Sequence, residues 1–586
     1  MFRHLLVLAA ALVASAAPAA DRPNVVIILA DDQGWGDLSV HGNTNLHTPN
    51  VDSLARDGAL FDRFFVCPVC SPTRAEFLTA RYHVRGGVHG VSTGGERLTL
   101  GVKTIADAFR AAGYATGAFG KWHNGSQYPY HPLARGFAEY YGFTSGHWGD
   151  YFNPPLDHNG RPVTGHGYIT DDLTDHAMAF IEANRDRPVF CYLPFNTPHS
   201  PMQVPDEYWD RFKNAEIKMR HHGRGGAEQL PMTRAALAMC ENIDWNVGRV
   251  LKKLDELKLA DNTIVLYFSD NGPNSWRWNG GMRGRKGSTD EGGVRAPLLL
   301  RWPGHVKPGT RVGAIAGAID LLPTLCDLAG IKPVGDKPLD GMSLASLLVP
   351  GPPGGPWPDR MIFSHWNGNV SVRTQQYRLD AQGRLYDMTT DPGQTNDVSK
   401  DRPEVTKRLK EEVANWRQTV LTELPAKDNR PFTVGYRELP LTPLPARDGV
   451  PHGGVKRSAR PPNCSYFTHW TSPADRITWD VEVATAGRYE AVVYYTCPAA
   501  DVGSTVELSL NGAAVTGTVA EANDPPLRGA EHDRVARGES YVKDFKPLKL
   551  GTVRLSPGRG LLTLRATRVP GKQVMDVRAV VLTLVE

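Results

Sequence analysis

The sequence predicts an α/β fold: a large, mostly parallel sheet flanked by helices, then a smaller α+β subdomain and an appended all-β sandwich. Short runs rich in Val, Ile and Tyr alternate with helix-periodic segments over the first three hundred residues. Helical periodicity vanishes after about residue 463, where short β runs follow one another at turn-length intervals. Between the two regimes, residues 350–358 (PGPPGGPWP) are too rich in Pro and Gly to form an element and mark a joint. The 586 residues carry 66 Lys+Arg against 62 Asp+Glu, a net charge of +4. That length implies several domains, and so small a charge excess does not indicate a nucleic-acid-binding surface.

The first twenty residues stand apart. Arg3 and His4 precede an apolar run over 5–14, and small residues follow to Ala19. This is the pattern of a secretory signal peptide over 1–19, so the mature protein is expected to be secreted or periplasmic. No later segment supplies the roughly 20 apolar residues that span a bilayer. Export would place the seven cysteines in an oxidising compartment, and an odd number leaves at least one without an intrachain partner.

Four strands are expected in the domain over 20–349: residues 25–30 (VVIILA), 114–119 (YATGAF), 189–194 (VFCYLP) and 263–269 (TIVLYFS). Apolar residues at three- and four-residue spacing place helices over 50–58, 102–112, 170–184 and 231–257. Such alternation implies right-handed crossovers onto one sheet. Each strand leads directly into polar residues. Asp31 and Asp32 follow the first, Lys121 and His123 the second, Thr197 and His199 the third, Asp270 and Asn271 the fourth. Open α/β sheets bind ligands outside the carboxyl ends of their strands, so these groups should converge on one crevice. Asp31, Asp32, Asp270 and Asn271 offer oxygen donors, the preference of a hard cation such as Ca²⁺ or Mg²⁺. Lys121, His123 and His199 suit an anionic substrate beside it. One Asp-Asp pair after a strand commonly caps the next helix; polar pairs ending several strands weaken that reading.

Residues 67–70 (CPVC) alone could be a redox CxxC or half of a zinc site. No second CxxC exists, which excludes a four-cysteine zinc site, and the segment lacks the small βαβ setting of a thioredoxin-like motif. The longer run from Cys70, CSPTRAEFLTAR, resembles the sulfatase signature, whose Cys-x-Pro-x-Arg core directs oxidation of the cysteine to formylglycine. RPNVVIILADDQGWGDLSVHGN, TPNVDSLARDGALF, GKWH, TPHSPMQVP, YFSDNGP, GRKGSTDEGGVRAP and AIDLLPTLCDLAGI are similar to further blocks of that family, in the same order. LYDMTTDPGQTND is similar to its smaller C-terminal subdomain. The resemblance covers about residues 22–421 and implies an alkaline-phosphatase-like fold.

It also implies a sulfuric ester hydrolase. Asp31, Asp32, Asp270 and Asn271, with Cys70, would bind one divalent cation, usually Ca²⁺ in this family. Cys70, converted by a formylglycine-generating enzyme, would supply a hydrated aldehyde whose hydroxyl attacks sulfur, with Arg74 and the cation holding that hydroxyl. Lys121, His199 and Lys286 would neutralise the sulfate oxygens, His199 would protonate the leaving alcohol, and His123 would take a proton as sulfate is expelled. Two positions depart from the family pattern: Ala80 where Gly is usual, and Asn124 where Leu commonly follows KWH. A Cys67–Cys70 disulfide formed first would block conversion. A phosphate or phosphonate ester hydrolase of the same superfamily would share the metal site, and an unconverted Cys70 would leave a non-catalytic glycan-binding protein.

The smaller subdomain should span 350–422 and close with an amphipathic helix over 404–421. Residues 423–462, Pro-rich and without clear periodicity, read as a linker. Six β runs, 477–483, 488–495, 504–511, 548–555, 561–567 and 574–584, build the sandwich of 463–586. AGRYEAVVYYTCPAADVGSTVELSLNGAAV resembles carbohydrate-binding jelly-roll modules. That resemblance implies a separable glycan-targeting or packing module without catalytic groups and, joined to the first, a sulfated carbohydrate substrate. Cys464 and Cys497 suit a disulfide or two buried thiols equally. The loop bearing His147, Trp148, Asp150 and Tyr151 is polar and aromatic enough to contact a sugar, or to pack on itself.

Overall fold

The computed structural model describes residues 22–586 apart from 223–224, 351–356 and 426. The expected signal peptide and most of the Pro-Gly joint lie outside the described residues. The chain begins with β1 (Asn24–Ala30), α1 (Pro49–Arg56), β2 (Ala59–Phe65), α2 (Cys70–Thr79), α3 (Ile105–Ala111), β3 (Ala115–Lys121) and β4 (Glu139–Phe143). It continues through β5 (Pro155–His158), β6 (Arg161–Thr164), α4 (Ile169–Ala183), β7 (Val189–Pro194), α5 (Asp206–Phe212), α6 (Leu230–Glu256) and β8 (Thr263–Ser269). After α7 (Glu291–Val294) come β9 (Arg295–Ala296), β10 (Leu298–Arg301), β11 (Thr310–Gly317) and α8 (Leu321–Leu328).

These strands form one eleven-stranded sheet in the order β11-β2-β10-β8-β1-β7-β3-β4-β5-β6, with β9 beside β2. The central run β8-β1-β7-β3-β4 is parallel, while β10, β5 and β6 pair antiparallel towards the edges. Alternation along β1 explains its unbroken apolar text. Val26 and Ile28 enter one core with Ile181 and Val247 from the α4/α6 layer. Val25, Ile27 and Leu29 enter the other with Phe109 and Leu325 from the α3/α8 layer. Each side chain so buried contributes about 1.5–3 kcal/mol.

A four-stranded antiparallel sheet follows (Ile362–Trp366, Asn369–Arg373, Tyr377–Leu379, Leu385–Asp387), with α9 (Pro403–Thr419) packed on it. Two six-stranded sheets then close on one core that includes Trp479, Tyr489, Val493, Leu564 and Leu582. The expected linker needs correction here. Phe432–Val434 pairs with Arg476–Val483, Leu441–Pro445 with Asp576–Leu584, and Val450–His452 again with Arg476–Val483. These runs are only three to five residues long, and prolines at sheet edges are tolerated, so no period-two signal accumulates. The strand Ala513–Thr518 also went unread, although Asn511 and Gly512, both at positive φ, form the Asn-Gly turn that starts it.

All seven cysteines are free. Cys464 Sγ donates to the His147 carbonyl, whereas Cys497 Sγ lies against the Val574 carbonyl, so the two are buried thiols and not a bridge. Cys67 turns to Glu76 instead of Cys70. Among the described residues no helix is long and apolar enough to cross a membrane.

Ala80 ends α2 at φ 55°, and its amide donates to the Glu76 carbonyl at 2.8 Å. This is the left-handed cap position that glycine fills without steric cost. Ala80→Gly should therefore shift the first urea transition upward by about 0.5–1 kcal/mol; an unchanged or lower midpoint would show that the methyl group's packing outweighs the strain.

Candidate active site

The carboxyl ends of β1, β3, β7 and β8 and the first turn of α2 meet in one crevice. Residue pairing between β1 and β8 ends at Ala30 and Ser269, which sets Asp31 beside Asp270. The Asp32 amide donates to Asp270 Oδ1 (3.2 Å), and the Asp270 amide donates to the Ala30 carbonyl (3.2 Å). Asn271 Nδ2 donates to Asp32 Oδ1 (2.8 Å). Behind this loop the buried Arg277 pairs with Asp37 (2.7 Å) and donates to the Asp32 carbonyl (2.9 Å).

Cys70 is the first residue of α2, following Val69 in extended conformation. Thr73 Oγ1 accepts from the Cys67 amide (2.8 Å) and donates to the Asp270 carbonyl (2.6 Å), which pins this turn to β8. Arg74 Nη2 and Nε donate to Asp270 Oδ2 (2.8 and 3.1 Å), and its Nη1 donates to the Lys121 carbonyl (2.7 Å). Lys121 Nζ pairs with Asp31 Oδ2, and Lys286 Nζ with both oxygens of Asp32 (2.7 and 2.9 Å). Cys70 Sγ and one carboxylate oxygen each from Asp31 and Asp270 lie within 4.8 Å of one another.

The two histidines have distinct tautomers. His123 Nε2 faces the Val91 carbonyl (2.8 Å); a carbonyl only accepts, so Nε2 carries the hydrogen. Its Nδ1 is buried without a partner, which leaves it as the basic nitrogen. His199 Nδ1 faces the Ser200 carbonyl (2.7 Å), and its Nε2 stands 3.7 Å from Asp32 Oδ2. The side chains of Arg74, Lys121, Asp31 and Asp270 are wholly buried, whereas those of His199 and Lys286 are 14% and 22% exposed and form the mouth.

The electrostatics follow from burial and from these pairs. For Asp32, burial is outweighed by Lys286 and His199, which hold its carboxyl well below the usual range. Burial, then the charge of Asp31, pushes Asp270 up to about 6. Burial and Lys286 push His199 down to about 4, and burial and Lys121 push His123 well below an ordinary imidazole. Burial also raises the Cys70 thiol, against Lys121 and Lys286, so unaltered Cys70 is no activated thiolate. Asp31 Oδ1 and Asn271 Oδ1 are buried acceptors without a donor. Orphaned oxygens from the same four residues that offer oxygen ligands fit a hard divalent cation.

A family model described as Sulfatase matches residues 23–331. The chain belongs to the sulfatase family. It is a sulfuric ester hydrolase, and a second model, N-sulphoglucosamine sulphohydrolase, C-terminal, matches residues 286–419 of it. Mouse N-acetylgalactosamine-6-sulfatase is 32% identical over 414 residues, 64% of this chain and 75% of that protein. Human arylsulfatase A is 34% identical over 436 residues, 67% of this chain and 80% of that one. The crystal structure of Ps i-CgsB in complex with k-i-k-neocarrahexaose is similar with a TM-score of 0.62 at 30% identity, covering 70% of this chain and 95% of that one.

All ten side chains named from the sequence of this sulfatase lie in or beside the crevice: Asp31, Asp32, Cys70, Arg74, Lys121, His123, His199, Asp270, Asn271 and Lys286. Thr73 and Arg277 were not named for it, and His147 was named only within a loop that could contact a sugar or pack on itself. Thr73 sits within the signature itself, whereas Arg277 and Asp37, far apart in sequence, carry no local signal. Asn124, the departure from leucine, donates through Nδ2 to the Ser71 (3.2 Å) and Glu96 (3.3 Å) carbonyls and so braces the nucleophile turn.

Arg277→Met should leave the Asp37 carboxylate buried and unpaired, at a cost of about 3–5 kcal/mol, and lower turnover through the loosened Asp32 loop. Adding Asp37→Leu should restore part of the stability. A single variant within about 0.5 kcal/mol of wild type in urea denaturation would refute that support role.

Proposed function

We propose that this sulfatase is exported and removes sulfate from a sulfated glycan, using formylglycine made from Cys70 and one bound Ca²⁺. The observation that carries this reading is the position of Cys70. It opens a buried helix turn beside Asp31 and Asp270, among three cations, with its thiol raised by burial and useless as a thiolate. A glycan is the substrate class of relatives named above, one called an N-acetylgalactosamine-6-sulfatase and one crystallised with a neocarrahexaose.

Asp31, Asp32, Asp270 and Asn271 would hold the cation, whose contribution is to polarise an oxygen as a Lewis acid. The hydrated aldehyde that Cys70 would provide would contribute a nucleophilic hydroxyl and a second hydroxyl through which sulfate could leave by elimination. The chain's own residues do the rest. Lys121 and Lys286 bring fixed positive charge to the sulfate oxygens, Lys121 fully buried and Lys286 at the mouth, where burial strengthens each interaction. Arg74 ties Asp270 to the β3 end and adds positive charge beneath the nucleophile. His199 is neutral in the free site, and a sulfate anion beside it raises its proton affinity. Substrate therefore prepares His199, exposed at the mouth, to protonate the departing sugar oxygen. His123, with its basic Nδ1 buried and unpartnered, accepts the proton released when sulfate leaves.

Mass spectrometry of the tryptic peptide that contains Cys70, from protein made in its native host, should show an aldehyde or its hydrate in place of the thiol. Cys70→Ala should fold normally and lose at least about 10³-fold in aryl sulfate turnover, as expected when a nucleophile is removed. A wild-type rate in that variant would overturn the mechanism. Faster turnover of aryl phosphate or phosphonate esters than of aryl sulfate would move the assignment to an ester hydrolase of that kind.

A further inference from the structure

The sandwich does not stand away from the crevice. The loop over residues 145–151 passes between the two histidines: Gly146 lies on the His123 ring, where a Cβ would come within 2.1 Å of Nε2, and the His147 ring centroid is 5.6 Å from that of His199. The groups that hold this loop come from the far end of the chain. Cys464 Sγ donates to the His147 carbonyl (3.2 Å), Ser145 Oγ donates to Asn463 Oδ1 (3.3 Å), and Arg537 Nη1 donates to the Gly149 carbonyl (2.5 Å). Arg537 is itself fixed by Asp533 (Nε to Oδ2, 2.7 Å). Next to His199, Ser200 Oγ donates to Glu539, and Gln203 Nε2 donates to the Gly529 carbonyl (2.7 Å) and to Asp533 (2.9 Å).

The His147 imidazole is only 4% exposed, yet neither ring nitrogen makes a hydrogen bond of good geometry; the acceptor that approaches it is the Ser200 carbonyl. The Ser200 carbonyl nearby already receives His199 Nδ1 (2.7 Å) and the Tyr151 hydroxyl (3.0 Å). Two unpaired nitrogens on one buried ring are a rare and costly exception, and beside a catalytic histidine they suggest a missing ligand group. A neutral imidazole offers one donor and one acceptor on opposite sides of the ring, and a sugar hydroxyl can pair with either one. Gly146 leaves room for no side chain, so the loop has little freedom to place His147 elsewhere.

We propose that the sandwich is a wall of the active site: His147 hydrogen-bonds a ring hydroxyl of the sulfated sugar next to the ester, and Arg537 and Glu539 are positioning residues that hold His147 and His199 in register. The proposal rests on the sulfated-sugar reading above and adds a specificity-determining contact to it. It replaces the separable glycan-targeting or packing module expected from the sequence with a structural part of the catalytic centre.

The test compares 4-nitrophenyl sulfate, which carries no hydroxyl, with galactose 6-sulfate and N-acetylgalactosamine 6-sulfate, whose nearest ring hydroxyl is on C4. His147→Ala should lower kcat/KM on the sugar sulfates about 100-fold, mainly through KM, and leave the aryl sulfate within about threefold. His147→Gln, which keeps a donor and an acceptor, should recover part of the loss. Arg537→Met should show the same split at about tenfold and should add little once His147 is alanine, because it acts through that residue. Equal losses on both substrate types, or no loss on the sugars, would overturn the proposal, as would a wild type that turns over the aryl sulfate and ignores both sugars. Failure of the wild type on every sulfate ester would instead sink the sulfatase reading. In that event calorimetric binding of the sugar sulfates to Cys70→Ala protein, with and without His147→Ala, still reads the contact: weaker binding without the imidazole supports it, and equal or absent binding refutes it.

Discussion

The structure turns on a buried charge balance. Asp31, Asp32 and Asp270 stand against Arg74, Lys121 and Lys286, three charges of each sign, all buried except Lys286 at the mouth. Charges taken out of water are tolerable only when each finds close partners, so the positions of these six side chains constrain everything that carries them. The register of β1 on β8 is one such constraint. Sliding β1 by one residue would turn Asp31 and Asp32 to the wrong sides and expose Val26 and Ile28 to the wrong core. In the proposed mechanism a divalent cation then leaves the cluster with two excess positive charges, which is the condition for drawing in an anionic ester.

Much of this arrangement was legible in the sequence because the fold writes it locally. A strand buried on both faces reads as an unbroken apolar run, and the residue that follows it lies at the crevice by topology alone. Asp31, Lys121 and Asp270 are placed in this way at or just past the ends of their strands, and His199 five residues beyond its own. The signature from Cys70 to Arg81 supplied what spacing could not, namely that a cysteine with a raised thiol belongs among these charges. What escaped were partnerships between distant segments. Arg277 and Asp37 support the Asp32 loop from 240 residues apart, and neither has a neighbour that marks it. The short strands over 432–457 escaped for another reason: pairing in them is decided by the two sheets they join, not by their own pattern.

The C-terminal sheets show how a compositional boundary can mislead about function. The chain changes texture near residue 463, and that change is real, since helices give way to strands. The physical interface does not respect it. Arg447, buried, pairs with Asp448, faces Glu96 across the interface (3.7 Å) and donates to Ser126 Oγ (2.9 Å), while Gln127 Nε2 reaches the Pro443 carbonyl (3.0 Å). Arg97 donates to the Arg430 carbonyl (2.8 Å). Buried charged groups of this kind lose their partners if the two parts separate, which favours a single cooperative unit over a tethered module. The loop bearing His147 is then set by contacts from both parts; its polar and aromatic sequence marked it as a sugar-contact candidate, but not the distant groups that hold it.

The central claim is that the carboxylate cluster is a cation site joined to an anion-binding crevice. Anomalous diffraction from crystals of protein produced in its native host tests it most directly. The account predicts one ion held by oxygens of Asp31, Asp32, Asp270 and Asn271 at about 2.3–2.6 Å, the range of Ca²⁺. Well-ordered carboxylates paired only with Lys121 and Lys286, with no ion between them, or an ion bound through His199 instead of Asn271, would contradict it.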